Sequence, residues 1–148
     1  MDPRAQIDQD LATSMKEGMV ARTSVLRLLK ASMQNEQIKL GHELSASEML
    51  KVLQREAKQR RDSIEQYRAG GRDDLADLEQ HELDVITAYL PTQMSADEIG
   101  VVVDEVIADL GAEGQSQMGI VIGAVMKQLE GKADGATVSQ VVRSRLVK

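Results

Sequence analysis

Ile99-Gly100-Val101-Val102-Val103-Asp104-Glu105-Val106-Ile107-Ala108-Asp109-Leu110 decides the fold class, because a segment this rich in valine invites assignment as a strand. Its apolar spacing points the other way. Ile99, Val102, Val103, Val106, Ile107 and Leu110 recur at intervals of three and four, which puts them on one side of a helix, whereas a strand needs intervals of two. Ser95 and Glu98 stand just ahead as a capping box, the serine oxygen accepting an orphan backbone N–H and the glutamate reaching back to the cap residue's own. Spacing is helical almost everywhere else as well, so the expected class is all-α.

The flanking segments repeat the pattern. Met118, Val121, Ile122, Val125, Met126 and Leu129 predict a sixth helix, and Val138, Val141, Val142 and Leu146 a seventh, so three helices follow Pro91. Pro91 disfavours helical geometry in the residue before it, so a fourth helix, marked by Leu75, Leu78, Ile86 and Leu90, has to finish by Leu90. A long third helix is predicted from the capping box Ser45/Glu48 to Ala69-Gly70-Gly71, burying Leu50, Leu53, Ala57 and Ile64. The second runs from about Ser24 to Leu40, with Leu26, Leu29 and Met33 inside, Arg27 and Lys30 outside, and Gly41 as its stop. Asp2 caps the first, with Pro3 at its first position; Ile7, Leu11 and Met15 share a face and Gly18 ends it. Composition shifts at Pro91, beyond which the chain is rich in Val and Gly and holds five of the 18 basic residues. The expected organisation is a helical N-terminal domain over residues 1–91 and a smaller three-helix tail domain over residues 92–148, without internal repeats.

A chain of 148 residues leaves no room for a large multidomain enzyme. The absence of Cys excludes disulfides, thiolate metal sites and cysteine nucleophiles and fits a reducing cytosol. With no Phe, no Trp and only Tyr67 and Tyr89, the core has to be aliphatic, and aromatic platforms for stacking bases are excluded. The net charge of −6 repels polyanions as a whole, so DNA and non-specific nucleic-acid binding are not expected. The longest mostly apolar stretch, Met118 to Met126, falls well short of the roughly 20 residues needed to cross a bilayer. Residues 1–6 show neither the basic leader nor the apolar segment of a secretory signal, so the expected location is cytoplasmic, away from membranes.

Catalytic motifs are missing: there is no GxSxG elbow, no HExxH and no GxxxxGK[ST] phosphate loop. His42 follows Gly41 in a turn. Glu79 and Glu82 share a helix face from which His81 points away, so a solvated face is preferred to a metal site, and neither a metal nor a cofactor is expected. Lys51, Arg55 and Lys58 form a basic stripe on the third helix, but Glu48, Glu56, Asp62 and Glu65 lie at ion-pair spacing, which favours a salt-bridged outer face over a phosphate-binding one.

Gly131-Lys132-Ala133-Asp134-Gly135 lies between the sixth and seventh helices, with Asp134 or Thr137 as the cap of the latter. Glycine allows close approach, Lys132 adds charge and the free N–H groups at the helix start favour an anion. A tight helix–helix turn accounts for the same residues and is the preferred reading. Gly119 and Gly123, four residues apart, predict a close approach of two helices, for which Gly100 has no partner. Arg143 points away from the apolar line of the seventh helix. Arg145 falls close to it, where it can snorkel and complement the helix dipole.

Residues 60–94 contain Tyr67-Arg68-Ala69-Gly70-Gly71-Arg72-Asp73-Asp74-Leu75-Ala76, then Glu79, Glu82 and Tyr89-Leu90-Pro91-Thr92-Gln93-Met94-Ser95. With Leu26-Arg27-Leu28-Leu29-Lys30-Ala31 upstream, and Met118-Gly119, Gly123-Ala124-Val125-Met126-Lys127 and Gly131-Lys132-Ala133-Asp134-Gly135 downstream, this ordered set resembles the YqeY proteins of the GatB/YqeY family over nearly the whole chain. The resemblance implies a helical N-terminal domain joined to a smaller helical tail. The family's relative is the C-terminal portion of the GatB component of the tRNA-dependent amidotransferase, which amidates mischarged Glu-tRNA or Asp-tRNA with glutamine as nitrogen donor. In that enzyme the tail binds tRNA by its outer shape while a separate domain performs the chemistry.

Similarity to the tail alone implies a non-catalytic, tRNA-associated helical module, acting in trans with an amidotransferase or an aminoacyl-tRNA synthetase. The candidate tRNA contacts are Lys127, Lys132, Arg143 and Lys148, a small basic edge on a tail whose overall balance is five bases to eight acids. Two other readings stand beside it. One is a protein-interaction adaptor without RNA binding, whose eight methionines supply adaptable faces. The other, ranked lowest, is a part in a carbon–nitrogen ligase activity with glutamine as donor.

Overall fold

Side-chain caps fix where several of the helices begin. In the computed structural model, which describes residues 2–146, Asp2 Oδ1 accepts from the Ala5 N–H at 2.8 Å and starts α1 (Pro3–Lys16). Ser45 Oγ accepts from the Glu48 N–H at 3.2 Å while Glu48 Oε1 takes the Ser45 N–H at 2.9 Å, opening α3 (Ala46–Ala69). The same reciprocal pair at Ser95 and Glu98 opens α5 (Ala96–Leu110). A cap of this kind contributes about 1 kcal/mol. The remaining helices are α2 (Val20–Leu40), α4 (Asp73–Thr87), α6 (Met118–Leu129) and α7 (Gly135–Leu146), with a short 3-10 turn over Gln115–Gln117. No strand occurs among the described residues, and no helix there is long and apolar enough to cross a membrane.

The start of α2 differs from the sequence reading. It begins at Val20, four residues before Ser24, and its entry has no side-chain cap of its own. The buried Ser14 of α1 holds the corner instead: its hydroxyl lies 2.8 Å from Thr23 Oγ1 and 3.2 Å from the Met19 carbonyl oxygen, which it can reach as donor. At the other end Gly41 adopts φ 76°, a left-handed conformation that lets its N–H turn back to the Gln37 carbonyl.

The chain divides into two compact units, Met1–Leu90 and Pro91–Lys148. In the first, α3 and α4 share the most extensive contact and α1 packs chiefly on α2. Its core is Ile7, Val25, Leu26, Leu29, Met33, Leu44, Met49, Val52, Leu53, Ala57, Leu83 and Ile86. The predicted faces are rotated in places. Met15 is 53% exposed, Leu78 66% exposed, and Leu50 is only partly buried while Met49 and Val52 point inward. The larger departure is Glu56, expected on the outer face of α3. It is buried together with Arg60, because the inward stripe Met49, Val52, Leu53, Glu56, Ala57, Arg60 continues at helical spacing through two charged residues.

In the second unit α5, α6 and α7 close around Ile99, Val103, Val106, Val121, Val125, Leu129, Val138 and Val142. Leu110, at the end of the predicted stripe, is 50% exposed. The glycines behave differently from expectation. A Cβ on Gly119 or Gly123 would meet nothing within 4 Å, so neither marks a close approach of helices. Gly100 does mark one, with a side chain: a Cβ there would lie 2.5 Å from Arg145 Nη2. The guanidinium of Arg145 therefore crosses α5 over Gly100 and reaches Asp104 Oδ1 from Nε at 3.1 Å.

Leu53→Ala, at a site with no exposed surface, should cost about 2–5 kcal/mol by urea unfolding. Gly100→Ala should be nearly neutral or slightly stabilising, because the displaced group is the end of a flexible chain. A half-exposed ion pair is worth about 0–1 kcal/mol, and alanine gains about 1 kcal/mol over glycine inside a helix. The same change should abolish the effect of Asp104→Ala, which a double-mutant cycle measures.

Candidate nucleic-acid interface

The turn between α6 and α7 is built by hydrogen bonds that come from before α5. Gln93 Nε2 donates to the Gly131 carbonyl at 2.8 Å, and the Met94 N–H donates to the Lys132 carbonyl at 2.7 Å. The Lys132 N–H in turn closes on the Leu129 carbonyl at 2.8 Å. Gly131 and Ala133 are buried by this arrangement, while the Lys132 side chain between them is exposed. Such a turn has a fixed backbone and a solvent-facing cation.

The N-terminus of α7 is not left open for an outside anion. Asp134 Oδ1 accepts from the Thr137 N–H at 2.8 Å and Oδ2 from the Thr137 hydroxyl at 2.9 Å, so the chain's own carboxylate caps the helix. Asp134 rather than Thr137 is thus the cap, and the tight-turn reading of residues 131–135 is the one the geometry supports. A phosphate approaching this helix start would meet that negative charge.

Lys127 lies in the last turn of α6 and Lys132 in the turn that follows, so the fold brings these two to one end of the helix pair. Arg143 stands eight residues into α7, about 12 Å further along its axis. All three are exposed, and none makes an ion pair within 4 Å among the described residues. Lys148 lies outside the described residues. In the first unit Arg22, Lys30, Arg55, Lys58, Arg60, Arg68 and Arg72 stand within 4 Å of a carboxylate, whereas Arg4, Lys16, Arg27, Lys39, Lys51 and Arg61 make no ion pair among the described residues. Lys58 of the basic stripe pairs with Asp62 at 2.8 Å, as the spacing predicts, whereas Arg55 pairs with Glu36 of α2 at 3.3 Å and Lys51 makes no ion pair among the described residues.

Charge in the second unit is unevenly distributed along the chain. Residues 96–113 hold six acids and no base, whereas residues 114–148 hold five bases and two acids. The acidic excess of this unit therefore belongs to α5 and the loop after it, and the segment carrying α6 and α7 has a net charge of +3. Arg145, which bridges to Asp104, is the basic side chain of that segment tied to the acidic one.

Two polar constellations in the first unit join residues that the sequence reading does not bring together. One is a cleft of about 590 Å³ bordered by Gln6, Asp10, Arg22, His81, Asp84 and Tyr89. Asp10 is held there by Gln6 Nε2 at 3.0 Å, the Tyr89 hydroxyl at 2.5 Å and Arg22 Nη2 at 3.8 Å. Burial, reinforced by the Asp10 carboxylate, pushes the Tyr89 phenol well above its ordinary range, so it remains a hydrogen-bond donor and not a nucleophile. The other is Arg60 with Glu56, Glu79 and Glu82. Both join residues from different helices, up to 79 positions apart for Tyr89 and Asp10. The one local clue is the helical spacing of Glu56 and Arg60 with the apolar face of α3.

The sequence model of the family described as "Yqey-like protein" matches residues 4–146. A protein of Pyrenophora tritici-repentis named "Altered inheritance of mitochondria protein 41, mitochondrial" is 30% identical over 145 residues, covering 95% of this chain and 78% of that protein. One of the same name from Clavispora lusitaniae is 27% identical over 125 residues, covering 80% of this chain and 71% of its own. With a family match spanning both helical units and their junction, the chain belongs to the YqeY-like protein family.

Proposed function

We propose that the chain is a non-catalytic helical module that associates with folded RNA, tRNA first of all, through the α6–α7 side of its second unit. The observation that carries this reading is the segregation of charge: three exposed cations outside any observed ion pair lie on the segment of net charge +3, and the acids of the unit are concentrated on α5. A local field of that sign attracts phosphate even where the molecule as a whole is acidic. Lys127 and Lys132 would approach one phosphate group and Arg143 another farther along the backbone. Shape readout of this kind needs few contacts and no aromatic ring. The family resemblance supports tRNA as the RNA and an amidotransferase or aminoacyl-tRNA synthetase as the enzyme served.

In this reading residues 1–91 and 92–148 are separate folding domains, the second presenting the RNA surface and the first positioning it. The chain would work in a reducing aqueous compartment, the cytoplasm or, as the names of the fungal relatives suggest for those proteins, the mitochondrial interior. A second reading, a protein-binding adaptor, is favoured by one feature of the first unit. Met15, Met19 and Val20 are all exposed around the corner between α1 and α2, Val20 to 78%.

Filter binding against salt tests the first reading. The protein should retain folded tRNA better than an unstructured RNA of equal length, with a log–log salt slope of about −2 to −4 for three or four phosphate contacts. Lys132→Glu with Arg143→Glu should weaken retention by at least ~10-fold while leaving protein partners bound in a pull-down. Equal or negligible retention of the two RNAs by the unaltered protein sinks the reading. The domain assignment has its own check: residues 91–148 alone should show the helical circular dichroism and cooperative melting of a folded unit.

A further inference from the structure

Arg60 is 9% exposed and lies among three carboxylates. Its Nη1 is 3.2 Å from Glu56 Oε2, and its Nε is 3.0 Å from Glu82 Oε2 and 3.7 Å from Glu79 Oε2. From α2 the cluster receives the neutral hydroxyl of Ser32, which donates to Glu56 Oε1 at 2.9 Å, and no charged group of α2 pairs with it among the described residues. One cation thus faces three groups able to carry negative charge, two of them on α4 and one on α3. The 3.7 Å contact is too long for a hydrogen bond, and Glu79 Oε2 is a buried oxygen with no hydrogen-bond partner among the described residues.

An ionised oxygen left buried and unbonded is more costly than an ordinary hydrogen bond is favourable. A proton removes the difficulty. Protonated Glu79 becomes a donor, and Glu82, three residues along the same face of α4 and drawn to the same Arg60 Nε, is the acceptor beside it. Uptake of that proton reduces the excess negative charge around Arg60 from −2 to −1. We propose that Glu79 and Glu82 hold one proton between them against Arg60, and that this shared proton fastens α4 to α3 more firmly in mild acid than at neutral pH.

The electrostatic surroundings agree with the geometry. Burial first, then repulsion from Glu82, raises the Glu79 carboxyl above the ordinary glutamate range, with Arg60 opposing. The folded chain therefore binds this proton more readily than the unfolded chain. Its stabilising contribution is complete below the unfolded glutamate value and is lost as pH rises through the raised folded one.

Glu79→Gln tests the proposal in the full chain, because the amide is a permanent donor of nearly the same shape as the protonated acid. Urea unfolding at pH 8 should show a higher midpoint for the variant than for the unaltered protein, and the gap should narrow at pH 5. Carboxyl carbon NMR should place the Glu79 titration above that of an ordinary glutamate and bring it down again in Glu82→Gln. A variant no more stable at pH 8, a gap independent of pH, or an ordinary Glu79 midpoint would each overturn the proposal.

Discussion

The serine–glutamate capping boxes at Ser45 and Ser95 are the interactions on which both units depend. Each starts a helix that packs against every other helix of its unit: α3 against α1, α2 and α4, and α5 against α6 and α7. The core has no phenylalanine or tryptophan to bridge a gap, so aliphatic side chains have to meet at close range. Successive helical residues are rotated by about 100°, so a buried stripe has to recur at intervals of three and four. Met49, Val52 and Leu53 in α3, and Ile99, Val103 and Val106 in α5, hold that spacing and face inward.

Local rules make most of this legible in the sequence alone. The caps at Asp2, Ser45 and Ser95 and the helical period of the valine-rich segment all depend on residues within one or two turns of each other, and each is present in the fold. The start of α2 is not legible in this way, because Ser14 on another helix holds it. Glu56 defeats the rule that charge implies exposure, although its spacing matches the apolar stripe. The role of Gly100 is hidden because its neighbour is an arginine 45 residues away.

The candidate site is legible only as an inventory of cations. Sequence identifies Lys127, Lys132 and Arg143, and their exposure follows from their positions off the valine stripes. The fate of the anion position at α7 depends on which oxygen reaches the Thr137 N–H, a contest between Asp134 and an outside ligand that only geometry resolves. The contrast between the two units is physical as well. In the first, Arg22 and Arg55 meet carboxylates on neighbouring helices, whereas in the second the signs are sorted along the chain, with Arg145 and Asp104 joined across that division.

Gln93 and Met94 have a consequence for how this chain can be shortened. They precede α5, yet they hold the Gly131 and Lys132 carbonyls of the turn between α6 and α7. A fragment trimmed to begin at Ser95 would retain every helix of the second unit and its cap, but would leave those two carbonyls without these donors. The second unit therefore begins, as a packed body, at that strap and not at the first residue of α5.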